Sequence, residues 1–329
     1  MIGIIGGGSW ATAIAKILLE GGAPRLAWWV RSEEVCASLG SEGRNARHMP
    51  RLQLDSSRLC VSTRLEDVVG MCDTLFLAIP SAYLAQVFST VPAEQLRGRH
   101  YVSLVKGAMP GRKQTVSMYL TEDIGVEPDS VCVVSGPSHA EEVAQGMPTF
   151  LTVASGSRRL ADEVRQMLAV GYIHTAVSDD MAGVECCGLA KNIYAIAAGI
   201  CQGLGYGDNM NAVLTTAALR EMKVLMEHLL DCRMDNLATP CYLGDLMVTC
   251  WSRHSRNRAL GEAVAHGLTV DEAFESIGTI SEGYYSVCNV HGLAQQLGVE
   301  LPIAEAVYRV LYESGNPRAE MEQLIDHVF

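Results

Sequence analysis

Lys191 lies in the run Cys186-Cys187-Gly188-Leu189-Ala190-Lys191-Asn192-Ile193, which carries no other charge. Burying an ammonium group among such neighbours disfavours its charged form. Its pKa moves toward neutrality, where a lysine works as a general acid or base. The alternative is a lysine that lies along a helix edge with its head in water. The small apolar flanks on both sides argue against that exposed face. A second group begins at Gly244-Asp245 and ends in Trp251-Ser252-Arg253-His254-Ser255-Arg256-Asn257-Arg258. Its arginines stand just ahead of a helical pattern. Guanidinium forks beside a helix N-terminus make a phosphate clamp, to which Ser255 and Asn257 add donors. The plainer reading is the solvated basic face of a helix. Asp245 is suited to orienting a cationic lysine.

Further candidates follow apolar runs that read as strands. Gly6-Gly7-Gly8-Ser9-Trp10-Ala11 fits G-x-G-x-x-G/A, directly after Ile2–Ile5 and at the start of an amphipathic segment. In that context Gly6 permits the tight turn, Gly8 admits a pyrophosphate and Ala11 keeps the helix near the sheet. The second strand ends in Trp28-Trp29-Val30-Arg31, with no acid to hold ribose hydroxyls. Arg31 can instead pair with a 2′-phosphate, so NADP(H) is the preferred cofactor and NAD(H) the possible one. Lys106, after Val105, stands at a strand end where an anion can be held. Gly136 and Ser138, in Ser135-Gly136-Pro137-Ser138-His139, can offer donors to a ligand. Ser138 also has the spacing of a capping box with Glu141. His139 is a weaker acid/base candidate, because nothing nearby in sequence orients it.

These residues need elements to position them. The first half alternates apolar runs (Ile2–Ile5, Leu26–Val30, Thr74–Ala78, Tyr101–Leu104, Val131–Val134, Phe150–Ala154) with amphipathic segments such as Trp10–Glu20 and Ser157–Leu168. Continuous apolar runs are the mark of strands buried on both faces, and the rhythm is that of a parallel sheet covered by helices. The turn-rich stretch Gly40–Asp55 reads as a surface excursion. After Ser178 helical patterns take over. Leu214, Ala218, Met222, Leu225, Met226 and Leu229 recur at helical spacing, and later helices fall at Arg256–His266, Thr269–Ser276, Val287–Leu297 and Ile303–Glu313. The fold class is therefore α/β. An N-terminal Rossmann-like, doubly wound, mostly parallel sheet (1–178) precedes an all-helical C-terminal domain for substrate and catalysis (179–329). The Trp28-Trp29 pair reads as sheet core and receives no functional role.

The 329 residues fit about two domains. A net charge of −12 argues against a nucleic-acid partner, but a local basic pocket for a small anion remains compatible with it. The 11 cysteines show no C-x-x-C pair and no ligand cluster, so the expectation is reduced thiols and no metal site. The apolar stretch Ala182–Gly205 carries Glu185 and Lys191 and reads as a buried helix, not a membrane span. The opening Met1-Ile2-Gly3-Ile4-Ile5-Gly6 lacks the basic and long apolar segments of a secretory signal, which points to a cytoplasmic protein.

The Gly6 turn, Lys106-Gly107, Gly136–Val143, Leu189–Asn192, Gly203–Asn209, Gly244–Arg258 and Pro302–Glu313 together resemble the bacterial-type NAD(P)-dependent glycerol-3-phosphate dehydrogenases. The resemblance covers nearly the whole chain. It implies interconversion of sn-glycerol 3-phosphate and dihydroxyacetone phosphate, supply of glycerol 3-phosphate for phospholipid synthesis, and a homodimer. It implies Lys191 as the proton acceptor. Substrate contacts would come from Lys106, Gly136, Ser138, Lys191, Asp245, Ser255, Arg256 and Asn257. Cofactor contacts would come from Gly6, Gly8, Ser9, Trp10, Arg31, Lys106, Ala140, Arg256, Ile280 and Glu282. Asp245 and Asn192 are expected to hold the Lys191 amine. The chain departs from the family at Ala11 (usually Gly), Val105 (commonly Thr), Ala217 (often Arg), Trp251 and His254. The alternatives are a dehydrogenase of another small anionic hydroxy acid and a non-catalytic NADP-binding regulator.

Overall fold

The apolar runs of the first half become strands β1 (Ile2–Ile5), β2 (Leu26–Trp29), β3 (Arg44–Asn45), β4 (Met49–Gln53), β5 (Leu59–Ser62), β6 (Thr74–Leu77), β7 (His100–Ser103), β8 (Val131–Ser135), β9 (Thr149–Ala154) and β10 (Ile173–Ser178). The structure is a computed structural model that describes residues 1–111, 114–229, 237–278 and 281–327. Eight strands form one sheet in the order β10-β9-β8-β7-β6-β1-β2-β5, and β3 pairs with β4 in a separate antiparallel hairpin. Every pairing in the large sheet is parallel except β8 with β9. From β5 to β8 the order is that of a dinucleotide-binding sheet, and the chain reverses direction across the sheet between β1 and β6. Strands β2 and β6 are buried throughout, as their apolar runs require. The edge strands β5 and β10 escape the sequence reading because they are only partly buried, so no continuous apolar run marks them. The Gly40–Asp55 excursion contains the β3–β4 hairpin.

The chain forms two compact units, Met1–Val105 with Gln114–Met181 and Lys106–Lys113 with Ala182–Phe329. The core of the first unit is built on Ile4, Ile14, Leu18, Trp28, Phe76 and Val102. Trp28 is more than filling. Its indole N–H donates to the Gly6 carbonyl at 2.6 Å and fixes the end of β1.

The long helix Met181–Gly203, in the second unit from Ala182 onward, is buried from Gly183 to Cys201. It has the length and hydropathy of a membrane span, but its apolar window is entirely buried inside the protein. It crosses the Arg256–Ala265 helix with backbones in contact. A Cβ on Gly199 would lie 2.0 Å from the Arg258 carbonyl oxygen, and one on Gly261 would lie 2.0 Å from that of Ile196. Any side chain at either position would force the two helices apart. The helix Asp208–Leu229 buries Leu214, Ala218, Met222, Leu225 and Met226 on one face. The Leu229 side chain lies outside the described residues. From the same helix, the buried Glu221 carboxylate accepts the N–H groups of Ile303 and Ala304 at 2.8 and 2.9 Å, which satisfies the start of the Pro302–Tyr312 helix. Pro317 opens a final helix, Pro317–His327, where its missing N–H costs nothing.

Candidate active site

The dinucleotide turn is built from backbone. Gly6 has φ +134°, and a Cβ there would lie 2.2 Å from the Ala78 carbonyl oxygen at the end of β6, so only glycine fits. Gly8 is the N-cap of the Ser9–Glu20 helix and no side chain caps it. A Cβ on Gly8 would meet nothing within 4 Å, so the space above the helix start is open. The first N–H groups of the helix have no intrahelical acceptor and point into that space. The Trp10 indole Nε1 is buried without a hydrogen-bond partner. This cradle fits a dinucleotide pyrophosphate. Arg31 is exposed just past β2, with its guanidinium 5.5 Å from the centre of the Tyr83 ring. Tyr83 is a neighbour that sequence spacing does not reveal, because it comes from far along the chain, on the Ser81–Phe88 helix that follows β6.

Gly136, at the end of β8, also requires glycine: its φ is +136° and a Cβ would lie 2.4 Å from the Phe150 carbonyl oxygen. Ser138 does not form the capping box. Its hydroxyl donates to the Gly136 carbonyl at 2.9 Å, and His139 takes the N-cap position of the Ala140–Ala144 helix. The chain turns one residue later than the spacing suggests.

The second unit gathers Lys106, Lys191 and Asp245. Asp245 opens the Asp245–Trp251 helix and is 1 % exposed. Its Oδ1 accepts from the Lys191 ammonium, and its Oδ2 accepts from Lys106 Nζ at 3.1 Å. Two cations thus share one buried anion. Burial pushes the Lys191 ammonium down, the Asp245 carboxylate pulls it up, and the Lys106 cation pushes it down again; the net effect lowers it from 10.5 to about 7. Burial disfavours the charge on Asp245, but the two ammonium groups outweigh that and hold its carboxyl below the ordinary range. Lys191 is the deeper of the two lysines, with a side chain 5 % exposed against 22 % for Lys106. It is therefore the amine suited to exchanging a proton near neutral pH.

Asn192 does not hold the Lys191 amine. Adjacent helical residues point in different directions, and Asn192 Nδ2 instead donates to the Lys106 carbonyl at 2.6 Å. Asn192 Oδ1 accepts from Asn257 Nδ2 at 2.8 Å, and Asn257 Oδ1 accepts from Ser281 Oγ and from Gly283 N. Asn257 thus keeps one amide hydrogen for any ligand. Ser281 and Gly283 are missed in sequence because their partner Asn257 lies more than twenty positions away. Ser255 is the N-cap of the Arg256–Ala265 helix, accepting from Arg258 N at 3.2 Å. Arg256 is exposed in its first turn. Arg258 is committed to Glu262 at 2.7 Å and to the Trp251 carbonyl at 3.3 Å. Glu282 begins the Glu282–Leu297 helix, and Ile280 lies outside the described residues. Of the family departures, Trp251 is 52 % exposed and His254 is exposed, whereas Ala217 is buried.

Residues 1–161 match the family model for the NAD-dependent glycerol-3-phosphate dehydrogenase N-terminus, and residues 180–322 match that for its C-terminus. The chain belongs to the NAD-dependent glycerol-3-phosphate dehydrogenase family. Relatives agree along its length. The glycerol-3-phosphate dehydrogenase [NAD(P)+] of Pelodictyon phaeoclathratiforme is 35 % identical over 325 residues, covering 98 % of this chain and 96 % of its own. That of Chlorobium luteolum is 36 % identical over 318 residues, with coverages of 95 % and 93 %. The crystal structure of glycerol-3-phosphate dehydrogenase from Coxiella burnetii superposes with a TM-score of 0.91 at 31 % identity, covering 99 % of this chain and 98 % of that one. Membership of this family makes the chain an oxidoreductase that uses a nicotinamide cofactor.

Proposed function

We propose that this chain reduces dihydroxyacetone phosphate to sn-glycerol 3-phosphate with NADPH, reversibly, and that Lys191 exchanges the proton. The observation that carries this reading is the buried Lys106–Asp245–Lys191 cluster, where burial and the second cation draw the Lys191 pKa down toward neutrality. The reduced nicotinamide, when bound, supplies the hydride for C2 of the ketone. Lys191 gives its proton to the oxygen as the alkoxide develops, and in the reverse direction it takes that proton back. The Asp245 carboxylate keeps the Lys191 ammonium oriented. Lys106 meets the substrate as a second cation, with Gly136 and Ser138 as further contacts. Arg256, at the start of a capped helix, grips the phosphate, and Ser255 and the remaining Asn257 hydrogen assist it. Binding energy from that remote phosphate serves to position the reacting carbon. Consumption of NADPH by the purified protein with dihydroxyacetone phosphate tests the reading. No consumption with this ketone, but consumption with a carboxylate-bearing one, would contradict it.

The cofactor is held at Gly6, Gly8, Ser9 and Trp10, with Ala140, Glu282, Arg256 and Lys106 as further contacts. Arg31 pairs with the 2′-phosphate and makes NADPH the preferred form. Replacing Arg31 by alanine is expected to raise the KM for NADPH by about tenfold, the loss of one charge-assisted hydrogen bond, and to leave that for NADH nearly unchanged. Equal effects on the two cofactors would remove Arg31 from that role.

A further inference from the structure

The β3–β4 hairpin is fastened to the cofactor turn. Asn45 is fully buried. Its Nδ2 donates to the Gly7 carbonyl at 2.9 Å and to Thr12 Oγ1 at 2.8 Å, and its Oδ1 accepts from His48 N at 3.2 Å. Ser9 Oγ donates to the His48 carbonyl at 3.4 Å. These bonds fix the hairpin tip, Ala46-Arg47-His48, beside the first turn of the Ser9–Glu20 helix. A buried amide is costly unless its groups are bonded, and here the bonds go to the turn that receives the cofactor. Arg47 lies between the two residues that make these contacts. It is exposed, and it forms no hydrogen bond or ion pair with any described residue. Arg44 of the same hairpin is occupied, donating to Gln53 Oε1 at 2.9 Å.

We propose that Arg47 binds the bridging pyrophosphate of the nicotinamide dinucleotide and that Asn45 positions it there. The assignment rests on the cofactor reading above. The open space over Gly8 receives the pyrophosphate, and Arg47 is the exposed cation next in sequence to His48, whose carbonyl Ser9 reaches at the start of the Ser9–Glu20 helix. The pyrophosphate is common to both cofactors, whereas the 2′-phosphate assigned to Arg31 belongs to NADPH alone. The two arginines therefore divide the work: Arg47 contributes affinity, and Arg31 contributes the choice between cofactors.

Dissociation constants of NADPH and NADH, read from cofactor fluorescence on the full chain, test this. Arg47→Ala is expected to weaken both cofactors by the same factor, about tenfold, and to flatten the salt dependence of binding. Arg47→Lys is expected to recover part of the loss. Arg51→Ala, farther along the hairpin on β4, is expected to leave both constants unchanged. An unchanged pair of constants in Arg47→Ala would overturn the assignment, as would a loss confined to NADPH. A loss of the same size in Arg51→Ala would also overturn it, by showing a diffuse field and not a contact. Wild-type protein that binds neither dinucleotide would overturn the cofactor reading and this assignment together. Wild-type binding with an inert Arg47→Ala would overturn this assignment alone.

Discussion

Replacing Lys191 by alanine is expected to lower turnover by about a thousandfold while NADPH still binds, because the variant loses the positioned acid but keeps the cofactor turn. The fold should survive the change. Asp245 keeps its contact with Lys106 at 3.1 Å, so no buried carboxylate is left without a cation. The cost is a cavity in the middle of the Met181–Gly203 helix, and Lys191→Met is the companion variant that fills it. Both variants should be equally slow if the proton is what matters. Restoration of turnover by methionine would show that packing, and not proton transfer, is what Lys191 provides.

Asp245→Asn is expected to have the larger effect on stability. Asp245 is the carboxylate that Lys106 and Lys191 share, and it is 1 % exposed. Removing one member of a buried ion pair costs about 3–5 kcal/mol, since the remaining charge is left uncompensated. The sign of the pH effect follows from the same geometry. Asp245 pulls the Lys191 pKa up, while burial and Lys106 push it down. Without the carboxylate the downward influences act unopposed. The pH at which reduction begins to fail should therefore move toward acid, together with a lower urea midpoint. An unchanged midpoint, or a limb that moves toward alkali, would contradict the shared-carboxylate account.

Part of this site is legible in the sequence because it is local. Gly6 and Gly8 follow a strand and precede a helix within a few residues, so their turn is written in consecutive positions. The burial of Lys191 is legible for the same reason: a helix whose neighbours are all small and apolar has no solvent face to offer. The pairing with Asp245, 54 positions away, follows from family resemblance and from the need of a buried cation for a counter-charge. What is not legible is direction and commitment. Asn192 is beside Lys191 in sequence but reaches the Lys106 carbonyl, because one helical step turns a side chain by about 100°. Asn257 reads as a ligand, yet most of its amide is occupied by Asn192, Ser281 and Gly283. Trp28 reads as core, and it is core, but its N–H also holds the Gly6 carbonyl. Asn45 sits in a turn-rich stretch with no pattern to mark it as the anchor of the hairpin. Each of these is a hydrogen bond between distant positions, and periodicity carries no information about such partners.

The most direct test of the mechanism is the pH dependence of kcat/KM for reduction of dihydroxyacetone phosphate by NADPH in the wild-type protein. A proton donor must be charged, so reduction should fall as pH rises through the Lys191 pKa, with a midpoint near 7 and not near the ordinary lysine value of 10.5. Oxidation of glycerol 3-phosphate, which needs the neutral amine, should rise through the same region. A reduction profile that stays flat up to pH values near 10 would contradict the account, because Lys191 would then be an ordinary cation and the proton would come from another group.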